Sequence, residues 1–339
     1  MIVVEKGGAL TTIQDLGRFG FEQFGVSPAG PMDFRSFSLS NILVENQRGA
    51  AAMEISILGP TLRFTAPAVI AVTGCEIPIA CNGAAIPMYT AVHISEEDIV
   101  EFGIAKNGCR AYLAIAGGFD VPTVMGSRAT SVQNKIGGVA GRRLQSGDEL
   151  TIGDPARELK QIAGRALPPD VFGNNQPVTL RVLMGPQENE FTPEGVRTFL
   201  ENTYTVSNDS NRMGYRLSGQ AIQHSGDGNI ISDGIVTGSV QVPTDGLPIV
   251  MLAERQTVGG YPKIATIISV DIPKIGQCRP GDIIRFQTVG IDEAQHLYMA
   301  ALDDLDRIEH HLKAKETLSY SYRVYLEGKT YRVIVEEMQ

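Results

Sequence analysis

Residues 144-LQSGDELTIG-153 and 276-GQCRPGDIIRFQTV-289 repeat one pattern, a Ser-Gly-Asp or Pro-Gly-Asp turn followed by a strand of alternating apolar and polar residues; 95-SEEDIVEFG-103 is a weaker third copy. Gly supplies the backbone freedom and Asp the local acceptor that tight turns need, and alternation at period two marks a half-buried strand. Between these copies the chain reads as short Val- and Ile-rich runs between Gly, Pro and Asp, among them 53-MEISI-57, 69-VIAVTG-74, 111-AYLAIAGG-118, 179-TLRVLMG-185 and 282-DIIRFQTVG-290. Closely spaced short strands of this kind predict barrels or sandwiches and argue against a doubly wound sheet. An internal echo of this length predicts two β domains of similar build.

Three segments carry helical period. The first is 33–46, where Asp33 can cap and Phe34, Phe37, Leu39 and Ile42 form an imperfect apolar stripe. The second is 193–202, with Thr192 as cap and Pro193 at the first helical position. The third is 291–315, in which Ala294, Leu297, Ala301, Leu305, Ile308 and Leu312 recur at three and four. The polar, Pro-containing run 154–177 supplies a boundary. The expected fold is therefore mainly β with a few helices: an N-terminal β domain over 1–160, a second over 177–290, and a C-terminal helix with a β-hairpin over 291–339, turning at Glu327-Gly328.

The 339 residues are 43% apolar and carry 29 Lys+Arg against 38 Asp+Glu, for a net charge of −9. That composition builds a core and gives no general basic surface, so nucleic acid is disfavoured as a partner. No apolar run reaches bilayer length and the N-terminus has no secretory pattern, so the expectation is a cytoplasmic protein without membrane contact. Cys75, Cys81, Cys109 and Cys278 lie in apolar runs without zinc-ligand spacing and read as buried free thiols; no metal site is expected. Phosphate-loop, dinucleotide and H-E-x-x-H motifs are absent, and 25-GVSPAG-30 has one residue too many for a nucleophile elbow. The five histidines read as structural or solvated.

Several stretches are too polar and too Gly-rich for the strands around them. In 11–33, Gln14, Asp15 and Arg18 precede a Gly/Pro loop that ends at the Asp33 cap, a setting that suits a carboxylate or phosphate as well as it suits a plain connection. In 207–219, Arg212 lies among turn formers, where a guanidinium can fork onto an anion or pair with a neighbouring acid. The richest run is 232–271, where Asp233, Gln241, Glu254, Arg255, Gln256, Thr257, Tyr261 and Lys263 alternate with Gly pairs. Polar groups at strand ends beside Gly allow a ligand to approach backbone closely. Arg128, in 115–131, reads as part of two ordinary turns.

The strings TTIQDLGRFG (11–20), GVSPAGPMD (25–33), AGGFDVPTVMGSRAT (116–130), NRMG (211–214), SDGI (232–235), GSVQVP (238–243) and RQTVGGYPKIA (255–265) together resemble the biotin-dependent carboxyltransferase, or allophanate hydrolase subunit 2, family, which includes the KipI antagonist and the C subunit of bacterial 5-oxoprolinase. The resemblance runs in order over residues 1 to about 290. It implies two cyclophilin-like β-barrels, a KipI-like B subunit and a LamB/YcsF-like A subunit as partners, and ATP-driven opening of 5-oxoproline to glutamate. Two positions depart from the family pattern: Glu254 stands where Asp is usual, and Asn189 where an acid is usual.

Carboxyl transfer would need biotin on a Lys flanked by Met. No Lys here is so flanked, so biotin would have to arrive on a separate carrier chain. The ATP-dependent oxoprolinase subunit is accordingly the preferred reading. A carboxyltransferase served by a separate carrier, and a non-catalytic regulator that binds a KipI-like kinase inhibitor, are the alternatives. Within the preferred reading Asp15 or Asp233 would act as base or orient water. Arg212 and Arg255 would hold an anionic group, and Lys263 would add a second positive charge. Gln14, Arg18, Gln241, Gln256, Thr257 and Tyr261 would line the substrate site, and ATP, with or without Mg²⁺, would bind where this chain meets its partner.

Overall fold

The computed structural model describes residues 1–170, 176–314, 319–326 and 329–336. Its chain divides into two compact units, Met1–Tyr298 and Met299–Gln339. In the first half of the larger unit a six-stranded sheet runs in the order Glu149–Leu150, Ile2–Lys6, Thr61–Phe64, Ile99–Phe102, Ile79–Cys81, Ala84–Ala85. A five-stranded sheet runs Leu10–Gln14, Ala52–Ser56, Arg110–Ile115, Ala68–Gly74, Val92–Ile94. Ile2, Val4, Leu62 and Val100 of the first sheet and Ile13, Met53, Leu113 and Val72 of the second fill one shared core. The other face of the five-stranded sheet is covered by the helix Phe34–Leu43, which packs on strands 68–74 and 110–115, so those strands are buried on both faces and read as continuous apolar runs.

The second half closes into a seven-stranded barrel in the order Val178–Met184, Lys263–Ile267, Ser239–Gln241, Ile249–Met251, Gly214–Ser218, Thr203–Val206, Ile283–Thr288. The closing pair, 178–182 with 284–288, is parallel. Burial alternates as the sequence pattern requires: Ile284 and Phe286 point inward, Ile283 and Arg285 outward. The helices expected from caps and stripes form at Phe34–Leu43, Pro193–Glu201 and Ile291–Ala314. The Asp33 carboxylate accepts from the Ser36 N–H at 3.0 Å, and the Thr192 hydroxyl accepts from the Gly195 N–H at 3.0 Å, so each cap satisfies an orphan donor of its first turn. The short helix Ile272–Gln277 carries too little period to be legible in sequence.

The three sequence echoes are one turn built three times. In each, the last Asp accepts on its side chain from a backbone N–H three residues earlier: Gln145 to Asp148, Arg279 to Asp282 and Ser95 to Asp98, at 2.8, 2.8 and 2.7 Å. The residue before each Asp is left-handed, Gly147 at φ 90°, Gly281 at 95° and Glu97 at 67°. Its N–H and the Asp carbonyl then pair with a single residue of the neighbouring strand, Val4, Val206 and Phe64 respectively. Gly is favoured at the first two positions because only it adopts this conformation without steric cost.

In the smaller unit the helix continues to Ala314, with Leu305 and Leu312 of the expected stripe buried, and strands Ser319–Leu326 and Lys329–Glu336 pair antiparallel. The Glu327-Gly328 turn expected between them lies outside the described residues. Cys75, Cys109 and Cys278 are buried and Cys81 half-buried, all as free thiols.

Candidate functional site

The loops of the two β regions in the larger unit meet around three charged side chains distant in sequence. Arg212 follows strand 203–206 and donates from Nε to Glu254 Oε1 at 2.7 Å, from Nη1 to Glu54 Oε1, and from Nη2 to the Gly30 carbonyl at 2.7 Å. Glu54, on strand 52–56, also accepts from the Met32 N–H at 2.9 Å and the Tyr112 hydroxyl at 2.8 Å, with Arg110 Nε at 3.7 Å. Burial alone would raise the Glu54 carboxyl. Arg212 and Arg110, with the Met32 N–H and the Tyr112 hydroxyl, outweigh it and hold that carboxyl below the ordinary range. Alongside, Gln277 accepts on its amide oxygen from the Cys109 and Arg110 N–H groups at 3.1 and 2.9 Å, and donates to Asp33 at 2.8 Å. Burial is the main cause of the raised Asp33 carboxyl. These bonds join the first β region to the barrel.

Arg212 was expected to hold an external anion. Every one of its nitrogens is instead bonded to a partner inside the protein, and it is 4% exposed, so its charge is answered by Glu54 and Glu254. Glu254, the departure from the family's usual Asp, is the carboxylate that reaches it, and its second oxygen accepts from the Gln133 N–H at 3.1 Å.

One residue further on the environment changes. Arg255 is 6% exposed and donates from Nε to the Ile235 carbonyl at 2.9 Å and from Nη1 to the Thr237 hydroxyl at 2.8 Å. Both acceptors are neutral, and no carboxylate lies within ion-pair distance among the described residues. Burial lowers its pKa, opposed by Glu22 at longer range. A buried guanidinium fixed by neutral acceptors keeps its charge for another group.

Lys263, Asp233, Gln241, Gln256 and Tyr261 gather on the same side of the barrel. Lys263 Nζ donates to Asp233 Oδ2 at 2.8 Å, and Gln187 donates to the same oxygen at 3.2 Å. Gln256 donates to the Gln241 side chain at 3.3 Å, and Gln241 donates to the Tyr261 carbonyl at 3.3 Å. Asp233 sits on the two-stranded ribbon Asp233–Gly234 with Val258–Gly259 and is 53% exposed on its side chain. Lys263, followed by the Gly234 N–H, lowers its pKa, which makes it a weak base and a good anchor for water or for Lys263. Thr257 extends this ribbon through its carbonyl, which accepts from the Ile235 N–H at 3.0 Å.

The first-region residues behave differently. Gln14 is buried and donates to Thr12 Oγ1 and the Thr130 carbonyl while accepting from the Gly30 N–H, so it braces the loop. Asp15 accepts from the Gly17 N–H and the Ser127 hydroxyl on one oxygen and from the Arg128 N–H on the other, so it anchors the loop. Arg18 is 1% exposed, donates to the Val124 and Ala129 carbonyls, and has no partner for Nη1 among the described residues. Burial lowers its pKa against the opposing pull of Asp15 and Glu254. Arg128 pairs with Asp120 in an ordinary turn.

Sequence reasoning missed Glu54, Arg110, Gln187 and Gln277. For Glu54 the available signal was a carboxylate inside the apolar run 53-MEISI-57, since a charge on a buried strand needs a buried partner. Among the described residues no group of three or more His, Cys, Asp or Glu side chains could hold a metal ion, and no helix is long and apolar enough to cross a membrane.

The chain is 37% identical to the C subunit of 5-oxoprolinase from Escherichia coli K12 over 300 residues, covering 87% of this chain and 93% of that protein. It is 35% identical to the C subunit of the Haemophilus influenzae 5-oxoprolinase over 287 residues, covering 84% and 90%. The crystal structure of the K. lactis urea amidolyase superposes with a TM-score of 0.83 at 30% identity, covering 91% of this chain and 20% of that one, so the present chain matches about a fifth of the larger protein. The family model for the carboxyltransferase domain, subdomains A and B, matches residues 24–288. The chain belongs to that carboxyltransferase-domain family.

Proposed function

We propose that this chain is the C subunit of an ATP-dependent 5-oxoprolinase, which opens the lactam of 5-oxoproline to glutamate together with a KipI-like B subunit and a LamB/YcsF-like A subunit. The observation that carries this reading is the match to the E. coli protein over 93% of its length, which leaves little of that polypeptide without a counterpart here. The site chemistry agrees with it. 5-Oxoproline carries a carboxylate, and Arg255 offers a buried guanidinium with neutral partners on Nε and Nη1 only. Lys263 supplies positive charge where a phosphoryl group or lactam oxygen gains negative charge, and Asp233 holds Lys263 and orients the attacking water. An amide is a poor electrophile, and ATP, when bound, supplies the phosphoryl transfer that activates it. The partner chain completes the cleft, because the polar loops around Arg255 contain no self-sufficient catalytic triad.

The test mixes the purified chain with its B and A partners and follows ADP and glutamate release as a function of 5-oxoproline. Turnover that needs all three chains, and that drops about 100-fold in kcat/KM in Arg255→Ala with the complex still assembled, is the expected result. Turnover indifferent to Arg255 and Lys263 points to the regulatory binder. A second reading, carboxyl transfer, is favoured by the match to the urea amidolyase structure. It predicts activity only when a biotinylated carrier chain is added, and loss of that activity with avidin.

A further inference from the structure

We propose that Glu54, Arg212 and Glu254 act as a positioning strap for Arg255, so that the affinity of the site for an anionic substrate is set partly from the other β region; this rests on the oxoprolinase reading above. The backbone of segment 253–255 is tied at each residue, at Arg255 by its N–H donating to the Leu252 carbonyl at 3.1 Å. The Ala253 carbonyl accepts from the Ala29 N–H at 3.1 Å, and the Glu254 N–H donates to the Arg212 carbonyl at 2.9 Å. The Glu254 carboxylate takes Arg212 Nε on one oxygen and the Gln133 N–H on the other. Arg212 carries the tie on to Glu54, which the Met32 N–H and the Tyr112 hydroxyl hold in place. The Arg255 side chain leaves this backbone on the other side and is held by the Ile235 carbonyl and the Thr237 hydroxyl, neither of which belongs to the strap.

A buried ionic cluster is a poor device for stability alone, because desolvation offsets most of its Coulomb gain and apolar residues of similar volume hold two regions together as well. Its distinctive property is direction: each bond fixes an angle as well as a distance. Arg212 is shared by two carboxylates, one of which also faces Arg110, so the positive charges of the strap are answered inside it. Arg255 is left as the cation next in sequence without a carboxylate. Glu54 touches neither Arg255 nor the two groups Arg255 binds, so an effect on substrate affinity that originates there has to travel along the strap.

The experiment uses the full chain assembled with its partner subunits and compares Glu54→Gln, Glu254→Gln and Glu254→Asp with wild type, each checked for assembly. In Glu254→Gln the new amide places a donor against either Arg212 Nε or the Gln133 N–H, whereas Asp keeps both acceptors on a shorter arm. Both Gln variants are expected to raise KM for 5-oxoproline about tenfold with kcat within about twofold, since a misplaced anion holder weakens ground and transition state alike, and Glu254→Asp is expected to recover most of that affinity. Gln variants that assemble, melt earlier and keep the wild-type KM overturn the proposal, as does an Asp variant no better than Gln. Hydrogen exchange of the free chain gives a readout independent of turnover. The amides of 254 and 255 should exchange faster in Glu254→Gln while the strands of the barrel keep their protection, and unchanged exchange there counts against the strap. If the wild-type complex fails to open 5-oxoproline, the functional reading fails by itself and the exchange data still decide the strap. If Glu54→Gln does not fold, the Glu254 pair decides it.

Discussion

Arg212 and Arg255 belong to adjoining segments of one barrel and are almost equally buried, yet one is surrounded by carboxylates and the other by a carbonyl and a hydroxyl. Arg212 joins the two β regions through Glu54, Glu254 and the Gly30 carbonyl. Arg255 instead bonds the Ile235 carbonyl and the Thr237 hydroxyl, in the segment that follows Asp233. Residue type does not tell these two cations apart; the charge of the acceptors around each does. A guanidinium enclosed by two buried carboxylates gains little from a further anion, whereas one held by neutral groups gains a charge-assisted bond.

The sharpest way to break this comparison is to remove the shared carboxylate. Glu54→Ala leaves Arg212 and Arg110 buried and short of an acceptor, and should cost about 3–5 kcal/mol in equilibrium unfolding by denaturant. Arg255→Ala removes a cation that neutralises no buried acid and should shift the same unfolding curve by about 1 kcal/mol. Equal losses in the two variants would erase the distinction.

Acid titration sharpens it further. Glu54 and Asp271 both have folded-state pKa values below the ordinary carboxylate range: burial opposes this in each, and it is outweighed in Glu54 by Arg212 and Arg110 and in Asp271 by Arg181 and Lys274. A depressed folded-state pKa contributes stability that is complete above the unfolded value, about pH 4 to 4.5, and is lost as the pH falls through the folded one. Asp33, raised by burial, has the opposite sign and loses stability as the pH rises above the ordinary carboxylate range. Glu54→Gln should therefore lower stability at neutral pH and flatten the acid limb relative to wild type, as read by unfolding midpoints from pH 7 down to pH 3. A parallel displacement of the whole curve would show that Glu54 is not ionised in the folded protein.

Much of the architecture was legible because local rules and tertiary structure agree. Asp33 and Thr192 cap the helices they precede, and the Gly-Asp turns at 147–148 and 281–282 start strands in the same way. The weak copy at 95–98 forms the same turn with Glu97 in the left-handed position, so the echo was real even where Gly was missing. The hydrogen-bonded pairs Asp233–Lys263 and Gln241–Gln256 both come from one continuous run of sequence. What sequence could not supply was pairing across long separations. Arg212 is 158 residues from Glu54, and only the topology that sets strand 52–56 beside the 253–255 loop makes them partners. Gln277 escaped notice for a similar reason, since its partners Asp33 and Arg110 come from the other β region.

An effect as small as that of Arg255→Ala is expected at the turns. Gly281→Ala places a Cβ in open space, so its cost is conformational only and should be about 1 kcal/mol, measured as a lowered denaturation midpoint with an unchanged denaturant slope.

Equilibrium binding of 5-oxoproline to the three-subunit complex of the proposed function, measured for wild type, Arg255→Ala and Arg212→Lys, tests the central claim most directly. Arg255→Ala is expected to abolish measurable binding in a complex of near wild-type stability, while Arg212→Lys weakens the fold and leaves a binding site of reduced affinity. Full binding by Arg255→Ala would contradict the claim, because the guanidinium held by neutral acceptors would then not be the group that receives the substrate's carboxylate.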